Sequence, residues 1–158
     1  MQSSLVSGQL VVKKSSVHGY GVFAGQDFLP DQIIEECIVL EMNELQPELS
    51  NYYFRGGENK HLLVLGNGSL YNHANDANAN HSFNEERKAM IFRAATYIKK
   101  GEEIFIYYGK NWFSSRQLVV KESSIFYKIK KFIKSYQTFF RISVVTALLF
   151  FVLFILRH

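Results

Sequence analysis

Residues 68–83 read Gly68-Ser69-Leu70-Tyr71-Asn72-His73-Ala74-Asn75-Asp76-Ala77-Asn78-Ala79-Asn80-His81-Ser82-Phe83, and the reading of this stretch decides the rest. It holds four Asn, one Asp and two His, with almost no large apolar group after Tyr71. That pattern predicts a loop rather than a core helix or strand. Asn and Asp favour turns because their short side chains bond to nearby backbone, and a long polar loop between apolar runs points to binding or to a structural crossing. Asp76, Asn78 and Asn80 imitate the start of a calcium loop. However, His81 stands where the sharp turn needs glycine, and Arg87 stands where a bidentate carboxylate is needed, so calcium is set aside. His73 and His81 lack cysteine partners at ligand spacing, and no metal is expected.

Outward from this loop the chain reads as short strands. Gln9 to Lys13 and Val22 to Ala24 flank a turn, His18-Gly19-Tyr20-Gly21, whose two glycines allow close backbone approach. It lacks the third glycine of a dinucleotide fingerprint and the Lys-Ser/Thr of a phosphate loop. Gln32 to Met42 is β-favouring, with Glu35 and Glu36 expected to face water. Glu44 to Phe54 suggests a short helix, and His61 to Leu65 a strand. Ala89 to Ile98 and Glu103 to Tyr108 follow as buried strands, with Trp112 just beyond. The fold class is therefore mainly β.

The 158 residues carry 18 Lys/Arg against 14 Asp/Glu, a net charge of +4, and a single cysteine, Cys37. No disulfide can form within the chain, which fits a reducing compartment. Met1 to Gln9 is too short and polar for a signal peptide. The charge is unevenly placed: residues 1–120 hold 11 Lys/Arg against 13 Asp/Glu, whereas 121–158 hold 7 against 1. Because the basic residues fall in a membrane-directed segment, no nucleic acid is expected as partner. The mildly acidic remainder accommodates a basic, lysine-bearing protein.

Three separated pieces carry a resemblance: His18-Gly19-Tyr20-Gly21-Val22-Phe23-Ala24, then Leu70-Tyr71-Asn72-His73, then Gly101-Glu102-Glu103-Ile104-Phe105-Ile106-Tyr107-Tyr108-Gly109. In this order and spacing they resemble the SET domain of protein lysine methyltransferases, of the compact type without zinc-binding flanking modules. The resemblance covers residues 9–116. It implies small sheets closed by a pseudoknot between the Asn-His segment and the final strand, and a cofactor, S-adenosylmethionine, bound at Gly19, Tyr20, Gly21, Asn72 and His73. It also implies Tyr108 as the catalytic tyrosine at the cofactor site, and a substrate channel along Tyr71, Ile106 and Trp112. Ile106 lacks a hydroxyl where the family tunes product, so more than one methyl group is expected. Two departures, Ala74 for serine and Tyr107 before the last tyrosine, motivate an alternative: a weak or inactive SET-fold scaffold at a membrane surface.

Residues 117–138 read as a basic amphipathic linker helix, with Ile125, Phe126, Ile129, Phe132, Ile133 and Tyr136 on one face. Residues 139–156 read as a C-terminal transmembrane anchor. As a helix, 18 residues span about 27 Å, near the roughly 30 Å of a hydrocarbon core. The positive-inside tendency places the basic linker, and with it the catalytic domain, on the cytosolic side. The oligomeric state is left open.

Overall fold

The computed structural model describes residues 9–44, 46–57, 60–116 and 136. The chain divides into two units, 1–122 and 123–158. The amphipathic linker and the transmembrane run lie, apart from Tyr136, outside the described residues. Among the described residues no helix is long and apolar enough to cross a membrane.

Among the described residues the first unit holds nine strands: β1 (Leu10–Lys14), β2 (Tyr20–Ala24), β3 (Ile33–Met42), β4 (Tyr53–Arg55), β5 (His61–Val64), β6 (Asn72–His73), β7 (Ala79–Asn84), β8 (Ala89–Ala94) and β9 (Phe105–Ile106). β1 and β2 form an antiparallel hairpin. A five-stranded sheet has the order β4-β5-β3-β8-β7, and β6 pairs with β9 in parallel. The ten-residue β3 is the spine because its two halves pair on opposite edges, Glu35–Ile38 with β8 and Val39–Met42 with β5. Ile34, Cys37 and Val39 point into the core, where Val22, Phe28, Leu62, Phe92, Ile98, Ile104 and Ile106 are fully buried. Apolar side chains brought in from every sheet thus share one interior.

Four expectations need correction. The polar stretch does contain strands: β6, and the edge strand β7. Along β7 Ala79, His81 and Phe83 turn inward while Asn80 and Ser82 are exposed, an alternation hidden because histidine serves as an apolar-facing ring. The helix expected over Glu44 to Phe54 shrinks to a 3-10 turn, Pro47–Leu49, and Tyr53 and Phe54 enter β4. The last two strands are shorter than expected, ending at Ala94 and confined to Phe105–Ile106; among the described residues the rest of each expected run forms single bridges, Ile98 with Phe28 and Glu103 with Phe23. Finally, Glu35 does not simply face water. A register shift between Ile33 and Glu35 lets its carboxylate accept the Tyr71 hydroxyl at 2.9 Å and the Asn67 amide at 3.0 Å.

Candidate active site

The segment 102–106 lies between two partners that are remote in sequence. On one edge Ala24 N–H donates to the Glu102 carbonyl and Ile104 N–H to the Val22 carbonyl. On the other, Asn72 and His73 run parallel to Phe105 and Ile106. Asn78 fastens the crossing: its amide donates to the Glu103 carbonyl at 2.9 Å, and its side-chain oxygen accepts Phe105 N–H at 2.8 Å. One short side chain thereby replaces a strand partner, which explains why an Asn-rich loop is needed here.

This crossing brings the glycine turn against the Asn-His pair. Asn72 is buried, and its Nδ2 meets the carbonyls of His18 and Tyr20 at 3.1 Å each and the Glu103 Oε1 at 2.9 Å. Three acceptors around one nitrogen fix the amide's orientation. Glu103 was not anticipated. It is 8% exposed, its other oxygen accepts the Ser15 hydroxyl at 3.0 Å, and among the described residues no cation pairs with it. Its only sequence signal was a carboxylate opening an otherwise apolar run. The two glycines have different reasons. Gly19 has φ +49, in the left-handed region with open space about it, whereas a Cβ on Gly21 would lie 2.2 Å from Glu103 Oε1. The Tyr20 ring between them is 59% exposed.

His73 is buried in an aromatic cluster, with Phe113 at 4.9 Å, Tyr108 at 5.3 Å and Tyr107 at 5.4 Å between ring centroids. Its Nδ1 accepts Tyr108 N–H at 3.2 Å, so the ring is neutral with its proton on Nε2, facing Asn75 Oδ1. Burial holds its pKa below the ordinary 6.5.

Tyr108 donates its hydroxyl to the Tyr71 carbonyl at 2.6 Å, and its ring packs 4.7 Å from Trp112. Burial, with the Glu103 and Tyr52 charges adding, pushes the phenol up to about 12. A cavity of about 500 Å³ opens on this side, walled by Tyr108, Tyr71, Trp112, Phe54, Phe83 and His81 among others. Of the three residues expected along a channel, Tyr71 and Trp112 line the cavity; Ile106 does not, being fully buried in β9. Gly19, Tyr20, Gly21, Asn72 and His73 also lie outside its lining, so Tyr108 alone of the expected site residues belongs to both the cavity and the Asn-His cluster.

The departures from the family pattern leave this arrangement intact. Ala74 is buried and its N–H still reaches the Ile106 carbonyl at 3.2 Å, while Tyr107 is half exposed beside His73.

A SET domain family model matches residues 19–109. A Plasmodium falciparum structure bearing the name of a histone methyltransferase is 34% identical, with 68% of this chain and 98% of that one covered and a TM-score of 0.60. The polycomb repressive complex 2 of Chaetomium thermophilum is 22% identical over 67% of this chain and 16% of that one, with a TM-score of 0.56. A second structure of such a complex, autoinhibited and bound to S-adenosylmethionine, is 24% identical over the same shares, with a TM-score of 0.54. Among curated proteins none matches. By its motifs, its β-rich architecture and the extent of the match, this chain belongs to the SET domain family.

Proposed function

We propose that this chain is an S-adenosylmethionine-dependent protein-lysine N-methyltransferase, tethered to a membrane by its C-terminal segment with the catalytic domain cytosolic. The observation that carries the reading is Tyr108, whose hydroxyl is oriented by the Tyr71 carbonyl at the junction of an aromatic cavity and the Asn-His cluster.

The donor set fits the cofactor. Gly19 offers an open left-handed turn, Tyr20 an exposed ring, and Asn72 and His73 a buried, rigid wall with aromatic rings beside it. These residues and Tyr108 would hold S-adenosylmethionine, which supplies an electrophilic methyl group on a sulfonium centre. The rest is positioning.

With its proton committed to the Tyr71 carbonyl, the Tyr108 oxygen remains an acceptor, and an amine entering the cavity is aligned by an N–H···O bond. The phenol stays protonated to about pH 12, so Tyr108 orients rather than removes a proton. The lysine must shed its own proton to become nucleophilic. Two features favour the neutral amine: the aromatic walls desolvate it, and the cations Arg55, Lys110 and Arg116 in the cavity lining repel its charged form.

The test is transfer of labelled methyl from S-adenosylmethionine by the full chain into fractionated lysate, followed by hydrolysis to identify the labelled amino acid. Methyllysine in a protein band supports the reading. Saturable cofactor binding with no labelled protein would instead assign the chain to the scaffold alternative.

A further inference from the structure

The domain as a whole is slightly acidic, yet its cavity is not. Among the described residues the cavity lining holds three cations, Arg55, Lys110 and Arg116, and no Asp or Glu. Local potential at an entrance, rather than net charge, decides which partner is drawn in.

Arg116 is the fixed member of the set. Its guanidinium lies 4.3 Å from the Trp112 ring centroid and donates to the Ser50 carbonyl at 2.7 Å and the Trp112 carbonyl at 3.2 Å. These are neutral acceptors. Its Nε is buried without a hydrogen-bond partner among the described residues. Burial and the neighbouring Arg55 charge both hold its pKa below the ordinary value, a sign of uncompensated positive charge. Arg55 and Lys110 are exposed, and no ion pair is formed by either among the described residues. Of the described carboxylates, Glu35 accepts from Tyr71 and Asn67, and Glu103 accepts from Ser15 and Asn72.

Resting on the lysine-methyltransferase reading, we infer that the protein substrate carries Asp or Glu beside its target lysine, and that these carboxylates are received by Arg116, Arg55 and Lys110 at the cavity rim. A carboxylate at the rim relieves the repulsion between the cations and gives the exposed Arg55 and Lys110 the counter-charge that no described residue supplies. A lysine- or arginine-rich flank would add like charge to a site already unbalanced, so the same residues act against such substrates.

The experiment uses the full chain in nonionic detergent with two peptides of equal length, each with one central lysine, flanked in one by Glu and in the other by Gln and Arg. Binding is read by fluorescence anisotropy and methyl transfer by label. The Glu-flanked peptide should bind about tenfold tighter, the worth of one charge-assisted hydrogen bond. The preference should shrink as ionic strength rises. Because Arg116 also ties the 50–55 and 109–116 segments together, the decisive variants are at the exposed positions. Arg55→Glu and Lys110→Glu should each cut the preference, and together they should reverse it. Equal binding of the two peptides, tighter binding of the Arg-flanked one, or a preference unmoved by the double variant overturns the inference. A preference for the Glu-flanked peptide with no methyl transfer to either supports the acidic-flank surface and overturns the methyltransferase reading instead.

Discussion

The Tyr108 proton is committed to a main-chain carbonyl, and replacing this residue by phenylalanine isolates one atom. Tyr108→Phe should fold, losing about 1 kcal/mol with the bond to Tyr71, and still bind cofactor. Methyl transfer should fall about a hundredfold, because the amine is no longer aligned. Since the phenol titrates only near 12, any alkaline limb of the rate profile below that belongs to the substrate amine, and it should persist in the variant. Equal rates for variant and parent in a single-turnover assay would remove Tyr108 from the mechanism. Gly21 makes a second residue-level case. The carboxylate 2.2 Å from its missing Cβ is held by Ser15 and Asn72 and cannot step aside freely. Gly21→Ala should therefore cost about 1–3 kcal/mol in denaturant unfolding, a loss that a merely flexible turn would not show.

Between elements, the parallel pair β6–β9 is only two residues long on each side and depends on the Asn78 clamp. Asn78→Ala removes two buried hydrogen bonds and leaves the Phe105 N–H unsatisfied, so a loss of about 2–4 kcal/mol is expected, measured as a shifted urea midpoint at unchanged slope. A loss below about 0.5 kcal/mol would mean that the crossing holds by packing alone. The elements also show where sequence reading succeeds. The Gly19–Gly21 turn, Asn72, His73 and Tyr108 were singled out because they fall in the three pieces that carry the family resemblance, and the structure places the turn against Asn72 and Tyr108 against His73. β7 was not legible, since an inward histidine looks polar until Phe54 and Phe92 are seen beside His81. The tasks of Glu103 and Arg116 were equally hidden. Glu103 serves residues 31 and 88 positions away, and Arg116 bonds a carbonyl 66 positions back, distances at which local pattern carries no information.

For the whole domain, burial holds both His73 and His81 below the ordinary 6.5, so the folded protein keeps them neutral while the unfolded chain takes up protons first. Their contribution to stability is complete above about pH 6.5 and is lost as pH falls below it. Unfolding midpoints measured downward from neutral pH should decline over that range, and His81→Phe should flatten the decline; an unchanged slope would show that His81 titrates alike in both states. The proposed anchor is testable at the same scale. The full chain should sediment with membranes and resist high-salt extraction, while a chain ending after Arg116 should stay in the supernatant. Release by salt alone would reduce the tail to a surface-bound helix. The bond from Ser15 to Glu103 has a further meaning for biosynthesis. It joins positions 88 apart, and the same late segment completes both the β2 edge and the β6 pair. A nascent chain that has not yet delivered residues 102–108 lacks the piece that closes its interior, so folding waits for almost the entire domain to emerge. Until then the apolar strands lack their cover, and a chain cut short before Glu103 should be degraded rather than fold in part.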